Sequence, residues 1–124
     1  MNAVQTDKAP AAIGPYSQAI IAGDTVYVSG QVPINPATGK IEAQDISGQT
    51  RQVLENIGEI LKSAGLGYEN VVKTTVLLAD IGDFTAMNEV YAAFFTAPYP
   101  ARAAFEVGAI PKGALVEIEA VAVR

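Results

Sequence analysis

The chain has 124 residues, half of them hydrophobic and 17% charged, with no cysteine and no histidine. This composition suits one globular domain, excludes a disordered chain, and removes disulfides, thiol nucleophiles, zinc–thiolate sites, the imidazole base and every Ser–His triad. The net charge is −5 and the bases are scattered singly, so nothing forms a phosphate-neutralising stripe and no nucleic-acid partner is expected.

No apolar run reaches the roughly 18 residues that a membrane helix needs, so no membrane contact is expected. The opening MNAVQTDKAP has no apolar signal core, and Asp7 stands where a transit peptide avoids acid. The expected compartment is the cytoplasm.

SQAIIAGDTVYVSG reads as a β-hairpin: QAII and TVYVS are β-rich, and Gly23-Asp24 supplies the turn. PINPATG, with two prolines and a glycine, reads as a loop. From Asp45 to Ala64 the period becomes helical. Ile46, Val53, Ile57, Ile60, Leu61 and Ala64 share a face, and Gly65 stands at the C-terminal cap. Gly48 and Gly58 each weaken that helix by about 1 kcal/mol relative to Ala, so packing must carry it.

NVVKTTVLLAD reads as a strand. Asp83 is placed to cap a second helix, with Phe84, Met87, Val90, Tyr91, Phe94 and Phe95 at helical spacing as far as Thr96. Pro98 and Pro100 stop it. ARAAFEV and ALVEIEAVAV are the last two strands. The order β-β-α-β-α-β-β predicts a single α+β domain over residues 1–124, one sheet with two helices on one face.

The last strand puts Val116, Ile118, Ala120 and Ala122 on one face, and Leu115, Glu117, Glu119, Val121 and Val123 on the other. Both faces are largely apolar, which predicts burial of both. Two helices can cover only one, so the other is expected to meet another copy of the chain. Glu117 and Glu119 interrupt that second face, where a carboxylate is costly unless paired, hydrogen-bonded or wet. From spacing alone a solvated edge is the plainer reading, and a site the other.

Arg102 shares a face with Ala104 and Glu106, while Ala101, Ala103, Phe105 and Val107 take the opposite one. A structural ion pair is one reading of Arg102. A carboxylate clamp is the other, because the planar guanidinium fork binds a carboxylate in bidentate fashion. Tyr16 can present a phenol from the Gly14-Pro15 turn, or simply pack. Ser29-Gly30 can bring backbone N–H groups to a ligand, or only end a strand. Without histidine, Ser29 has no partner to activate it as a nucleophile. Asn88 lies beside the apolar face of the second helix, where an asparagine ordinarily ties up backbone. Glu55, Glu59 and Lys62 read as a solvated helix face, and DIGD is too short for a calcium loop.

APAAIGPYSQAI, VSGQVPINPATG, VVKTTVLLADIGDFTAMNEVYAAFF, PARAAFEV and LVEIEAVAV together resemble the Rid (YjgF-like) family of reactive-intermediate deaminases, over nearly the whole chain. The resemblance implies a chorismate-mutase-like homotrimer with clefts between subunits. It also implies cofactor-independent hydrolysis of enamines and imines, such as 2-aminoacrylate, to 2-keto acids and ammonia. By position, it makes Arg102 the group that holds the substrate carboxylate and Glu119 the carboxylate that positions water. Tyr16, Ser29, Gly30 and Asn88 would line the cleft with Ala103 and Ala104. Many deaminating members read Pro-Ala-Arg-Ser-Cys; here Ala103 and Ala104 replace the Ser and Cys, which touches rate and substrate range. A small-carboxylate sensor using the same clamp is the alternative function, and an endoribonuclease is a third.

Overall fold

A computed structural model describes residues 1–124. Its main sheet has six strands: β1 (Asn2–Val4), β2 (Ala19–Ala22), β3 (Thr25–Gln31), β6 (Val71–Leu78), β7 (Ala101–Glu106) and β8 (Val116–Val123). A short separate ribbon is formed by β4 (Ile34–Asn35) and β5 (Lys40–Ile41). The helices are α1 (Ile46–Ser63) and α2 (Phe84–Phe94).

The order across the main sheet is β1-β2-β3-β8-β6-β7. β2 and β3 form the expected hairpin, with Gly23 at φ 62° where a side chain would be strained. β6 and β7 are parallel, and β8 runs antiparallel to both β3 and β6 between them. β3 and β6 are therefore parallel, joined over β8 by α1, while α2 joins β6 to β7. Both crossovers step the same way across the sheet. Parallel crossovers share one hand, so both helices fall on the same face. The other face is left bare by topology.

Three features depart from the sequence reading. The β1 strand and the β4–β5 ribbon are additional, the latter drawn partly from the segment read as a loop. Asp83 stands at the N-cap of α2 but its side chain makes no capping bond. Asp80 accepts the Gly82 N–H instead, at 2.8 Å, closing the turn that leads into the helix. And α2 ends at Phe94, with Phe95 already extended.

The expected helix α1 and its C-terminal glycine hold, while Ile46 is only half-buried and Leu54, outside the expected face, is fully buried. Asp45 accepts the Gly48 N–H at 3.1 Å. At the other end Gly65 takes φ 78°, Leu66 N–H donates to Leu61 and Gly65 N–H to Lys62, which completes a Schellman cap. Val53, Leu54, Ile57, Ile60 and Leu61 pack against Val26, Val76, Val116 and Ile118 of the sheet. Gly58 has a use that helix propensity hides. The Tyr68 phenol fills the space its side chain would take and donates to the Leu54 carbonyl at 2.6 Å. Burial, reinforced by Glu55 and Glu59, pushes that phenol up to about 12.

No helix is long and apolar enough to cross a membrane. On the bare face Tyr27 is 53% exposed and Phe105 47%. On β8, Val116, Ile118, Ala120 and Ala122 are buried as expected, but Val123 on the other side is exposed in the single chain.

Candidate active site

Strand register sorts the candidate residues onto two sides of the sheet. Arg102 pairs with Thr74, and Thr74 with Ala120. Ala120 and Thr74 are buried beneath the helices, so Arg102 lies on the helical face, at the β7 edge. Glu119 pairs with Thr75, and Thr75 with Ala103. That row looks out of the bare face. A single chain therefore separates Arg102 from Glu119.

The Arg102 side is built by α2. Asn88 and Tyr91 stand three residues apart, hence on one side of the helix. Arg102 Nη1 donates to Asn88 Oδ1 at 2.7 Å. The guanidinium carbon lies 4.8 Å from the centre of the Tyr91 ring and 5.4 Å from that of Phe84. These are cation–π distances. The hydrogen-bonding partner of Arg102 is an amide and not a carboxylate. Glu106, on the same face, is engaged elsewhere and accepts the Ile81 N–H at 2.9 Å. The ion-pair reading of Arg102 is corrected by this arrangement, as is the expectation that Asn88 ties up backbone. An open groove of about 490 Å³ runs alongside, lined by Asn88, Tyr91, Ala92, Tyr99, Pro100 and Arg102. Ala104 shares the side of Arg102 and packs partly buried against the core, while Ala103 is exposed on the other side.

The Glu119 side is built by a bulge. Val28 pairs with Ala120 and Gln31 with Ile118, so Ser29 and Gly30 together oppose the single residue Glu119. The extra residue re-aims the strand at this point. Ser29 is tied down: its hydroxyl donates to the Ser17 carbonyl at 2.6 Å and its N–H to Gln18 at 3.0 Å. It acts as a brace, consistent with its having no activating base. A Cβ on Gly30 would meet the Glu117 carboxylate, so Glu117 lies over the glycine backbone. Burial, and secondarily the Glu119 charge, raise the Glu117 carboxyl above the ordinary carboxylate range.

Tyr16 is 53% exposed and follows Gly14 at φ 131°. It lines a different groove of about 410 Å³, with Thr6, Ala9, Gln18 and Pro36 among its walls, which shares no residue with the groove beside Arg102. Buried Gln18 fixes that wall, accepting from Thr6 N–H at 2.7 Å and donating to the Thr6 and Pro10 carbonyls. No group of three or more acidic side chains converges as a metal cluster.

Sequence reasoning missed Thr74 and Tyr91 as members of these sites, and noted Glu117 on its apolar strand without giving it a place in one. Thr74 did carry a signal: it shares strand parity with Val76 and Leu78, a hydroxyl at a core position. Tyr91 read as plain core because its ring serves both the core and Arg102.

The sequence model of the family described as Endoribonuclease L-PSP matches residues 6–124. A human 2-iminobutanoate/2-iminopropanoate deaminase is 52% identical over 121 residues, covering 98% of this chain and 88% of the relative. The crystal structure of RidA from an Antarctic Psychrobacter superposes with a TM-score of 0.96 at 48% identity over 100% of both chains. TdcF from E. coli with bound serine gives 0.96 at 44% identity, over 100% of this chain and 99% of that one.

Proposed function

The chain belongs to the Endoribonuclease L-PSP family, the Rid or YjgF group, and on that premise we propose that it hydrolyses small 2-imino acids and their enamine tautomers to 2-keto acids and ammonia. The observation that carries the reading is the company Arg102 keeps. Asn88, Tyr91 and Phe84 hold the guanidinium without neutralising it. A fixed cation with free N–H donors is suited to a carboxylate. The serine bound by the E. coli relative carries such a group.

The chemistry asks little more. Water adds to the imine carbon, the C=N double bond becomes a carbinolamine, and collapse to the ketone breaks the C–N bond and releases ammonia. Arg102 binds the substrate carboxylate. Glu119 orients the water and takes its proton, which goes to the departing nitrogen. Neither a histidine nor a thiol is needed, so Ala104 in place of the family cysteine leaves the reaction intact.

Because Arg102 and Glu119 face opposite sides of one sheet, a complete site draws them from two copies. The exposed Tyr27, Phe105 and Val123 on the bare face support assembly through that face. The homotrimer that the family resemblance implies provides such a cleft, with Tyr16, Ser29 and Gly30 in its walls. An endoribonuclease reading lacks support in the site: there is no histidine and the net charge is −5.

The test is ammonia release from freshly generated 2-aminoacrylate by the purified protein, beside Arg102→Lys. Acceleration over the spontaneous rate, lost in the variant, is expected. Tight keto-acid binding with no acceleration would leave a carboxylate sensor in its place.

A further inference from the structure

Beneath Arg102 the structure holds a column of two side chains, Tyr91 and Thr74, that no sequence motif marks. Thr74 is 1% exposed and lies in the same register row as Arg102. Its hydroxyl shares a buried 2.7 Å hydrogen bond with the Tyr91 phenol. The Tyr91 ring in turn lies 4.8 Å under the guanidinium carbon. Asn88 fixes one corner, at Nη1.

We propose that Tyr91, locked by Thr74, is a positioning residue that sets the plane of the Arg102 guanidinium before the substrate arrives, with Asn88 fixing its rotation in that plane. The inference rests on the reading of Arg102 as the carboxylate receptor.

A free arginine side chain samples many rotamers, and a ligand must overcome that entropy in ordering it. Two rings and one amide order it in advance, which lowers the cost of binding. Their chemistry also matters. An acidic residue at position 88 or 91 would hold Arg102 more firmly, but it would consume the charge meant for the substrate. Burial raises the Tyr91 phenol above its ordinary value, partly offset by Thr74 and Arg102, so the ring stays neutral at working pH. An aromatic face attracts the cation while leaving its N–H edge free. Thr74 is needed because the phenol is itself buried and would otherwise lose its partner. That bond stops the ring from shifting along the groove.

The experiment compares Tyr91→Leu, Tyr91→Phe, Thr74→Val and Thr74→Ser, reading KM, kcat and the Kd for pyruvate as an inert keto acid. Loss of the ring in Tyr91→Leu is expected to raise KM and the pyruvate Kd about tenfold while kcat changes less than about threefold. Thr74→Val should raise both by a few-fold, and Thr74→Ser, which keeps the hydroxyl, should restore them. In an Arg102→Lys background Tyr91→Leu should add less than about twofold, because the planar fork it orients is gone. If Tyr91→Leu fails to fold, the Thr74 pair and Tyr91→Phe carry the same comparison. Wild-type pyruvate affinity in both Tyr91→Phe and Thr74→Val, or full additivity with Arg102→Lys, overturns the positioning role. Retained pyruvate binding in Arg102→Lys alone would instead overturn the carboxylate reading on which it rests.

Discussion

Arg102 and Glu119 occupy adjacent register rows of one sheet and face opposite sides of it. Arg102 aligns with Thr74 and Ala120; Glu119 aligns with Thr75 and Ala103. Strand geometry forbids one chain from closing both around a three-carbon acid, because successive side chains alternate across the sheet. The two charges belong to one reaction only if a second copy supplies one of them.

Mixing inactive subunits tests this directly. Arg102→Ala and Glu119→Gln chains, dissociated and reassembled together in equal amounts, place a wild-type arginine beside a wild-type glutamate in half of a half of the shared sites. About a quarter of the wild-type activity should return. No recovery, with mixed oligomers verified by mass spectrometry, would mean that the site lies within single chains.

The same residues separate chemistry from stability. Arg102→Lys and Arg102→Ala should both lose most of kcat/KM, because lysine lacks the planar fork. Glu119→Gln should lower kcat more than it weakens pyruvate binding. Arg102 is exposed and pairs with no carboxylate, so its removal leaves no buried charge behind. Melting temperatures should stay near wild type. A large fall in Tm with specific activity retained at low temperature would return Arg102 to a structural role.

Periodicity made the helices and the long strands legible. Asp45, Gly65 and the Val53–Leu61 stripe are local signals, and they stand where the spacing puts them. The odd residues were legible too: Arg102 among alanines, and Glu117 and Glu119 on an apolar strand. What pattern could not give was the relation between them. Which face Arg102 shares with which neighbour depends on register across β8, β6 and β7, a non-local property. β1 and the β4–β5 ribbon were missed because strands of two or three residues show no period. Asp83 was misread because an acidic residue before a helix is only a candidate cap until its oxygen finds an N–H.

Glu117 should leave a signature in the pH dependence of stability. Burial first, and Glu119 second, raise its folded-state carboxyl above the ordinary range. The folded chain thus holds that proton more tightly than the unfolded chain does. The resulting destabilisation is full above the raised value and vanishes below the ordinary one. Glu117→Gln should therefore raise Tm at neutral pH, and the advantage should shrink as pH falls into the ordinary carboxylate range. Thermal melts of both proteins from pH 7 to pH 4 check this; a gain independent of pH would assign it to packing.

The last prediction sets two glycines against each other. Helix propensity alone predicts that Gly58→Ala gains about 1 kcal/mol. The structure predicts the opposite sign. A Cβ there would meet the Tyr68 phenol, with the ring carbon Cζ at 2.7 Å. Tyr68 cannot retreat: Phe94 and Phe95 flank it edge-on at 5.6 and 5.7 Å, and its hydroxyl is bonded to Leu54. Overpacking of this kind costs about 1 to 3 kcal/mol, so Tm should fall by several degrees with activity per folded molecule unchanged. At Gly30 the new Cβ would meet only the far end of Glu117, a side chain that can swing away. Gly30→Ala should melt near wild type. But the displaced carboxylate stands two residues from Glu119 on the same face, and the bulge that opposes Glu119 now carries a methyl group. Deamination should fall at least about tenfold, the scale set by misplacing groups in a positioned site. Calorimetry and ammonia release on the two variants should therefore give crossed results, stability lost at Gly58 and activity lost at Gly30. A Gly30→Ala protein with full activity would remove the Ser29-Gly30 bulge from the site.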